Sequence, residues 1–170
     1  MTKIEIKNIY KIFGSHPEQI LPMVKDGATK EEVRDETDHT VGLDNVSLSI
    51  KEGEIFVCMG LSGSGKSTLI RHINRLIDPT SGEVTVDGVD VLKLDHKELL
   101  EFRKKSMSMV FQRFGLFPHK TIIENVAFGL EVQKVPAVER NETARKQIEA
   151  VGLQGFEDQY PAQLSGGMQQ

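Results

Sequence analysis

The stretch that decides the fold reads GLSGSGKS and occupies residues 60–67. Its three glycines let the backbone take torsion angles that other residues resist, so that successive N–H groups can point inward around an anion. Lys66 adds a positive charge, and the Ser67 hydroxyl is a hard oxygen ligand for a divalent cation. A helix that begins at Lys66 would also direct the positive end of its dipole at the anion. The stretch therefore predicts a loop that binds phosphate groups.

The residues on both sides of this loop supply the context that the prediction needs. Residues 55–59, IFVCM, form a continuous apolar run, which is typical of a strand buried on both faces. Residues 66–77 predict a helix, because their apolar side chains recur at helical spacing, and we expect His72 on its polar face. A strand, a G-x-x-x-x-G-K-[ST] loop and a helix in this order predict an α/β fold that binds a nucleotide.

Composition and charge argue against several other classes of protein. The chain has 170 residues, 25 of them acidic and 21 basic, and its formal net charge of −4 argues against nucleic-acid binding by bulk charge. The single cysteine, Cys58, excludes an internal disulfide, and we expect it to be a small buried residue of the strand at 55–59. The N-terminus has no signal-peptide core, so we expect the protein in the cytosol.

Local patterns predict the remaining elements. Asp87-Gly88 is a strong turn signal and predicts a hairpin. Residues 14–40 are interpreted as an inserted surface segment with one short polar helix and a solvated charged run at 30–38. The other predicted strands are 3–13, 46–50, 83–86, 89–92 and 107–111, and the predicted helices are 95–105, 121–130 and 137–151.

Three further motifs resemble those of the ATP-binding-cassette (ABC) family. Residues 164–170, LSGGMQQ, resemble its LSGGQ signature, and residues 109–112, MVFQ, followed by LFPH, resemble its Q-loop. Residues 8–14, NIYKIFG, resemble the family's segment that ends in an aromatic residue and glycine. The resemblance assigns the aromatic platform for adenine to Phe13, with Tyr10 as the second candidate. The motifs occur in the family's order, and the resemblance covers nearly the whole chain.

Within the family, the chain resembles the ATP-binding subunits of glycine betaine/proline importers. The resemblance lies in residues 53–91 and 109–131, in the insertion at 14–40, and in Met168, where most of the family has Gln. It implies an α/β fold of the P-loop NTPase class, built as an ABC nucleotide-binding domain. Such a domain has an N-terminal antiparallel β subdomain, a RecA-like core and a helical subdomain, which we expect at about 115–165.

The resemblance also implies that residues 1–170 are a single partial domain. The family's Walker B strand, with its Mg²⁺-directing Asp and catalytic Glu, and its switch His would follow Gln170. The C-terminal part of the core is therefore expected to be missing. We expect the intact parent to be an ABC-type transport ATPase and the 170-residue chain alone to be inactive. A truncated, hydrolysis-dead nucleotide-binding module is the alternative.

The family's site roles can be assigned residue by residue. Lys66 and Gln112 are expected to act in catalysis, and Ser67 and Gln112 are expected to hold Mg²⁺. The residues expected to contact ATP bound by a facing subunit are Ser165, Gly166 and Gly167. The residues expected to bind ATP directly are Phe13, Gly60, Leu61, Ser62, Gly63, Ser64, Gly65, Lys66, Ser67 and Thr68.

The resemblance further implies partners and a location. The expected partners are a second ATP-binding subunit in a head-to-tail dimer, transmembrane permease subunits and, indirectly, a substrate-binding protein, with no nucleic acid. The protein would lie peripherally at the cytoplasmic face of the cell membrane and energise uptake of osmoprotectants. The alternatives are the ATPase of another amino-acid importer and a non-transport ABC ATPase, for which segment 14–40 is too short and too mixed in charge.

Overall fold

The first part of the chain is built around an antiparallel sheet. Its strands are β1 (Thr2–Phe13), β2 (Thr40–Lys51), β3 (Ser81–Val86) and β4 (Val89–Asp90). They lie side by side in the order β2-β1-β3-β4. The computed structural model describes residues 1–110 and 115–170, and the chain divides into two units, Met1–Leu99 and Leu100–Gln170. The sheet belongs to the first unit.

A bulge in β1 modifies the alternating pattern that the sequence predicts. Asn8 has a positive φ of 47°, its N–H donates to Ser47 Oγ at 2.8 Å, and its side-chain amide donates to Asn45 Oδ1 at 2.9 Å. The pairing register of β1 shifts between Ile6 and Ile9, next to this residue. Because a bulge interrupts the period of two, Ile9 and Tyr10 are both buried although they are adjacent in sequence.

The predicted hairpin forms between β3 and β4. Asp87 and Gly88 both have positive φ, 51° and 77°, as a two-residue turn between twisted antiparallel strands requires. Val86 pairs with Val89 directly across the turn. The second strand ends at Asp90, two residues earlier than the sequence pattern predicts.

The inserted segment is more ordered than the sequence predicts. It contains a 3₁₀ turn (Pro17–Gln19) and two short helices, α1 (Leu21–Lys25) and α2 (Lys30–Thr37), where one helix was expected. A capping box starts α2, since Thr29 and Glu32 exchange side-chain and backbone hydrogen bonds. The charged side chains of the run at 30–38 are exposed, as a solvated face requires, whereas Val33 within the run is completely buried. Val33 belongs to a hydrophobic cluster whose buried members are Tyr10, Ile12, Val24, Val33 and Val41.

The remaining helices follow the predictions closely. After the phosphate-loop sequence comes α3 (Lys66–Ile73), which ends four residues earlier than expected. The later helices are α4 (His96–Ser106), α5 (Ile122–Val132), α6 (Ala137–Ala150) and α7 (Gly166–Gln169), with a 3₁₀ turn at Pro161–Gln163. The core of the second unit consists of Ile122, Ile123, Ala127, Ala144, Ile148 and Leu164. None of the helices in residues 1–110 and 115–170 is long and apolar enough to cross a membrane.

Two predicted strands do not form. Residues 55–59 have no regular structure, Ile55 is 91% exposed, and Cys58 is exposed rather than buried. Residues 107–110 also lack regular structure, and Phe111 lies outside the described residues. An apolar run becomes a buried strand only when another strand pairs with its backbone. The pairings in the described part of the chain join only β1, β2, β3 and β4 to one another.

Replacement of Val33 tests how firmly the insertion is attached to the sheet. Val33→Ala removes two fully buried methyl groups, so we expect the free energy of unfolding to fall by about 2 kcal/mol. Val138→Ala is the matched control, because Val138 also lies in a helix but is 84% exposed. Urea titration of both variants gives the comparison. Equal, small effects would show that the insertion does not contribute to the core.

Candidate nucleotide-binding site

The phosphate loop is joined to the sheet through two glycines. Gly65 precedes α3 with a φ of 94°, and a Cβ at this position would lie 2.6 Å from Gly42 O and 2.9 Å from Leu43 Cδ2. Both neighbours belong to β2. Any residue other than glycine would therefore be strained by its backbone angle and would also collide with the strand. This close approach holds the beginning of α3 against β2.

The beginning of α3 presents backbone donors to an anion. The first N–H groups of a helix have no partner within the helix, and no side chain in the described residues caps this end. Ser64 N donates to Leu61 O at 3.2 Å, which closes the loop on itself. Since the helix dipole points its positive end to the same place, the local geometry suits a phosphate group.

Lys66 supplies the positive charge at this loop. Its Nζ donates to Gly60 O at 2.7 Å, to Leu61 O at 2.6 Å and to Ser64 Oγ at 3.2 Å. An ammonium group has three protons, and these three contacts use all of them. The amine is thus held over the loop by neutral acceptors, which phosphate oxygens can replace with stronger, charge-assisted hydrogen bonds.

Phe13 also lies against Gly42. A Cβ on Gly42 would lie 2.6 Å from Phe13 Cε2, so the ring rests directly on this glycine. The ring is 40% exposed, and Lys11 Nζ lies 5.1 Å from its centroid. The second candidate, Tyr10, is 8% exposed and packs in the core beside the insertion. Of these two aromatic residues, Phe13 is the more exposed and is therefore the better candidate for stacking.

Ser67 and Thr68 follow Lys66 in the first turn of α3. Ser67 is exposed, so its hydroxyl is accessible to a cation that accompanies phosphate groups. Within the described residues, no group of three or more His, Cys, Asp or Glu side chains could hold a metal ion.

The prediction that His72 lies on the polar face of α3 is wrong. The side chain is completely buried, and its Nδ1 lies 2.6 Å from Thr68 O. Burial lowers the pKa of the imidazole, which keeps the ring neutral. Its Nε2 has no hydrogen-bond partner among the described residues. Position 72 lies on the buried face of this short helix. The sequence did not indicate this, because the residue has polar neighbours.

The signature residues lie in the second unit, at the start of α7. Ser165 is the N-cap, and its Oγ accepts a long hydrogen bond of 3.4 Å from Met168 N. Gly166 and Gly167 are exposed. The Gln169 side chain ties this turn to the preceding one, donating to Pro161 O at 2.8 Å and to Leu164 O at 3.1 Å. The other predicted catalytic residue, Gln112, lies outside the described residues.

Sequence reasoning missed Gly42, which contacts both Phe13 and Gly65. A glycine within a strand marks the close approach of another part of the chain, but the predicted strand at 46–50 did not include position 42, whereas β2 begins at Thr40. The pattern does not reveal which part approaches. That information depends on the pairing of Phe13 with Thr40, two residues before Gly42.

Alanine substitutions at two loop glycines separate backbone strain from steric contact. Gly63 has a φ of 80° with nothing within 4 Å of an added Cβ, so Gly63→Ala should cost about 1 kcal/mol of unfolding free energy. Gly65→Ala should cost about 3 kcal/mol, because overlap with Gly42 O is added to a similar strain. Urea titration measures both. Equal costs would mean that α3 does not rest against β2.

Comparison with known proteins places these motifs in context. The chain is 53% identical over 170 residues to the glycine betaine/carnitine transport ATP-binding protein GbuA of Listeria monocytogenes, covering 100% of this chain and 43% of the relative. It is 51% identical over 168 residues to the glycine betaine/proline betaine transport system ATP-binding protein ProV of Escherichia coli, covering 99% and 42%. The chain thus spans less than half the length of these curated relatives.

A solved structure and a family match agree on the fold. The dimeric ATP-binding cassette MJ0796, in a post-hydrolysis state bound to ADP and Pi, superimposes with a TM-score of 0.79 at 34% identity. The superposition covers 98% of this chain and 65% of that one. The fold is accordingly that of an ABC-type P-loop NTPase. Residues 43–170 match the family described as ABC transporter, and since this is most of the chain, the protein belongs to the ABC transporter family.

Proposed function

We propose that Phe13 and the loop at residues 60–67 together bind ATP, with adenine on the ring and the phosphates on the loop. The observation that carries the proposal is the position of Gly42. The Phe13 ring and Gly65 both lie directly against this one residue, so that an aromatic face and a phosphate-binding loop are neighbours. An aromatic ring offers a planar apolar face for a base, while the loop offers donors for phosphate oxygens.

Within this site each residue has a distinct task. The backbone of residues 60–65 surrounds the phosphates, and the N–H groups of Lys66, Ser67 and Thr68 point at them from the start of α3. Lys66 Nζ exchanges its carbonyl contacts for phosphate oxygens. Ser67 supplies a hydroxyl ligand to Mg²⁺, which neutralises phosphate charge when bound. From the family resemblance, we infer that Gln112 also contacts this ion and the attacking water.

A second copy of the protein would complete the site. We infer a head-to-tail dimer in which Ser165, Gly166 and Gly167 contact the nucleotide held by the facing subunit. The dimeric structure of MJ0796 with ADP and Pi supports a dimer by analogy. The same inference extends to the domain layout, with the insertion at 14–40 and a helical subdomain at about 115–165.

For the whole protein, we infer a role in osmoprotectant import. The relatives named for glycine betaine transport match this chain over its full length, including the insertion. The protein would bind permease subunits at the cytoplasmic face of the membrane and hydrolyse ATP to drive uptake of glycine betaine or proline betaine. A substrate-binding protein would take part only through the permease.

Two ligands separate the base contact from the phosphate contacts. Phe13→Ala should weaken ATP binding about tenfold, since stacking of a base on an aromatic ring is worth about 1–3 kcal/mol, and it should leave tripolyphosphate binding unchanged. Lys66→Ala should weaken both ligands at least tenfold, because it removes the charge that faces the phosphates. Calorimetric titration of each ligand into each variant and into the unmodified protein, in the presence of Mg²⁺, gives the dissociation constants.

The control for the lysine variant is Lys30→Ala, because Lys30 is an exposed lysine at the start of α2. This variant should bind both ligands as the unmodified protein does. The proposed site is wrong if Phe13→Ala weakens tripolyphosphate as much as ATP. It is also wrong if Lys66→Ala leaves tripolyphosphate binding intact.

Uptake measurements test the proposal for the whole protein. We expect the intact protein, produced with its permease in a host without osmoprotectant uptake, to restore accumulation of labelled glycine betaine at high osmolarity. Lys66→Ala should abolish this accumulation, and Lys30→Ala should not. Uptake of methionine or a polar amino acid in place of glycine betaine would assign the protein to another importer class.

A further inference from the structure

His39 joins the two ends of the inserted segment. It lies between the last residue of α2 and the first residue of β2, and its Nε2 is 2.7 Å from Ser15 O. Its Nδ1 is 2.6 Å from Thr37 O. The ring also covers Gly14, where an added Cβ would overlap it. One imidazole thus contacts the chain where it enters the insertion and where it leaves.

The hydrogen-bond partners of the two His39 ring nitrogens indicate which protonation state of the imidazole matches this geometry. Both nitrogens face backbone carbonyl oxygens, which only accept hydrogen bonds, whereas a neutral imidazole carries a single N–H. Thr37 Oγ1 also lies 3.2 Å from Nδ1, but its proton is donated to Val33 O. The hydroxyl therefore has no second proton for the ring. Only the imidazolium form of His39 donates to both carbonyls at once.

The surroundings of His39 favour the charged form. The hydrogen bond to Ser15 O and then that to Thr37 O raise the pKa of the imidazole, and the neighbouring carboxylate of Asp38 adds to this shift. On the facing segment, His16 and Glu18 lie against each other, with 3.5 Å between Nδ1 and Oε1.

The direction of the pH dependence is set by this shift. Because the pKa of His39 is raised on folding, its contribution to stability is complete below the ordinary histidine pKa. That contribution is lost as the pH rises through the raised value. At high pH, one of the two ring nitrogens faces a carbonyl oxygen with a lone pair instead of a proton.

The clasp that His39 forms with Ser15 and Thr37 lies beside the residue proposed to bind adenine. Phe13 pairs with Thr40 as the last pair between β1 and β2, and Ser15 and His39 lie just beyond this pair on the two segments. The clasp therefore continues the connection between the strands beyond their last backbone pair. Without it, this end of the ladder is free to fray.

We propose that His39 is a positioning residue, which clasps Ser15 and Thr37 in its protonated form, holds the Phe13 ring in place and thereby raises the affinity for adenine nucleotides at low pH. This inference rests on the proposed nucleotide site. Loss of the clasp lowers the fraction of molecules with Phe13 in place. Since the two hydrogen bonds have a modest net worth, we expect an affinity loss of about fivefold.

The first experiment observes the platform without any nucleotide. The chain has no tryptophan, so Phe13→Trp in the full protein introduces a fluorophore at the platform itself. Acrylamide quenching of this residue should rise in one step as the pH increases from about 5.5 to 9. The step should vanish in the Phe13→Trp/His39→Gln double variant. It should persist with His16→Gln, the matched control, because His16 lies on the same segment but is exposed, with its Nδ1 3.5 Å from Glu18 Oε1.

The second experiment, on protein that retains Phe13, compares ATP with tripolyphosphate over the same pH range. As the pH rises through the step reported by tryptophan quenching, the ATP affinity of the unmodified protein should fall about fivefold more than that of His39→Gln. Tripolyphosphate, which makes no base contact, should show the same pH profile in both proteins. This comparison cancels the titration of the phosphates themselves.

The outcomes distinguish the clasp from the site. A quenching step that persists in the His39→Gln background overturns the proposal, and so does ATP affinity with the same pH profile in both proteins. If neither ligand binds at any pH, the nucleotide site is wrong. The quenching step then still decides by itself whether His39 holds position 13.

Discussion

The site depends on a contact between two stretches of backbone. Gly65 approaches the carbonyl oxygen of Gly42 so closely that no side chain fits at position 65. Residues 54–60, which lead into the loop, are exposed and have no regular structure. On the C-terminal side of the loop, Gly65 is followed by Leu69 and His72, the buried residues of α3. Since the Phe13 ring rests on the same Gly42, one strand residue relates the two halves of the site.

The elements that could be predicted from sequence are those with local signals. The turn at Asp87-Gly88 and the capping boxes at Thr29 and Thr121 each need only neighbouring residues, and all three are present. The backbone N–H of Thr121 donates to Glu124, which holds the pKa of that carboxyl below its usual range. The strand predicted at 55–59 had no such local signal, because an apolar run indicates only that burial of its side chains is favourable. Pairing requires a neighbour elsewhere in the chain, which no local pattern specifies.

The same distinction divides the residues of the site. The phosphate loop is recognisable because its chemistry requires glycines, lysine and serine at fixed spacing. Phe13 could be assigned only by resemblance, because a single aromatic residue at the end of a strand carries no pattern of its own. Gly42 and His39 were not assigned at all, since their importance arises from contacts with residues far along the chain. For His72, the polar neighbours in sequence pointed to solvent, whereas packing placed it in the interior.

Different interactions hold the two parts of the proposed site, the Phe13 ring and the phosphate loop, in place. Phe13 lies on a paired strand whose buried residues join the core, so its position is largely established before binding. The loop has hydrogen bonds mainly within itself, and its lysine is held by carbonyl groups that a ligand can replace. For the proposed site, a ligand that supplies acceptors to the first N–H groups of α3 would therefore stabilise the loop as it binds. In the proposed site, strand pairing and the His39 clasp hold the base side, and the nucleotide would add hydrogen bonds on the phosphate side. A clasp that acts on Phe13 consequently changes affinity without altering the phosphate contacts.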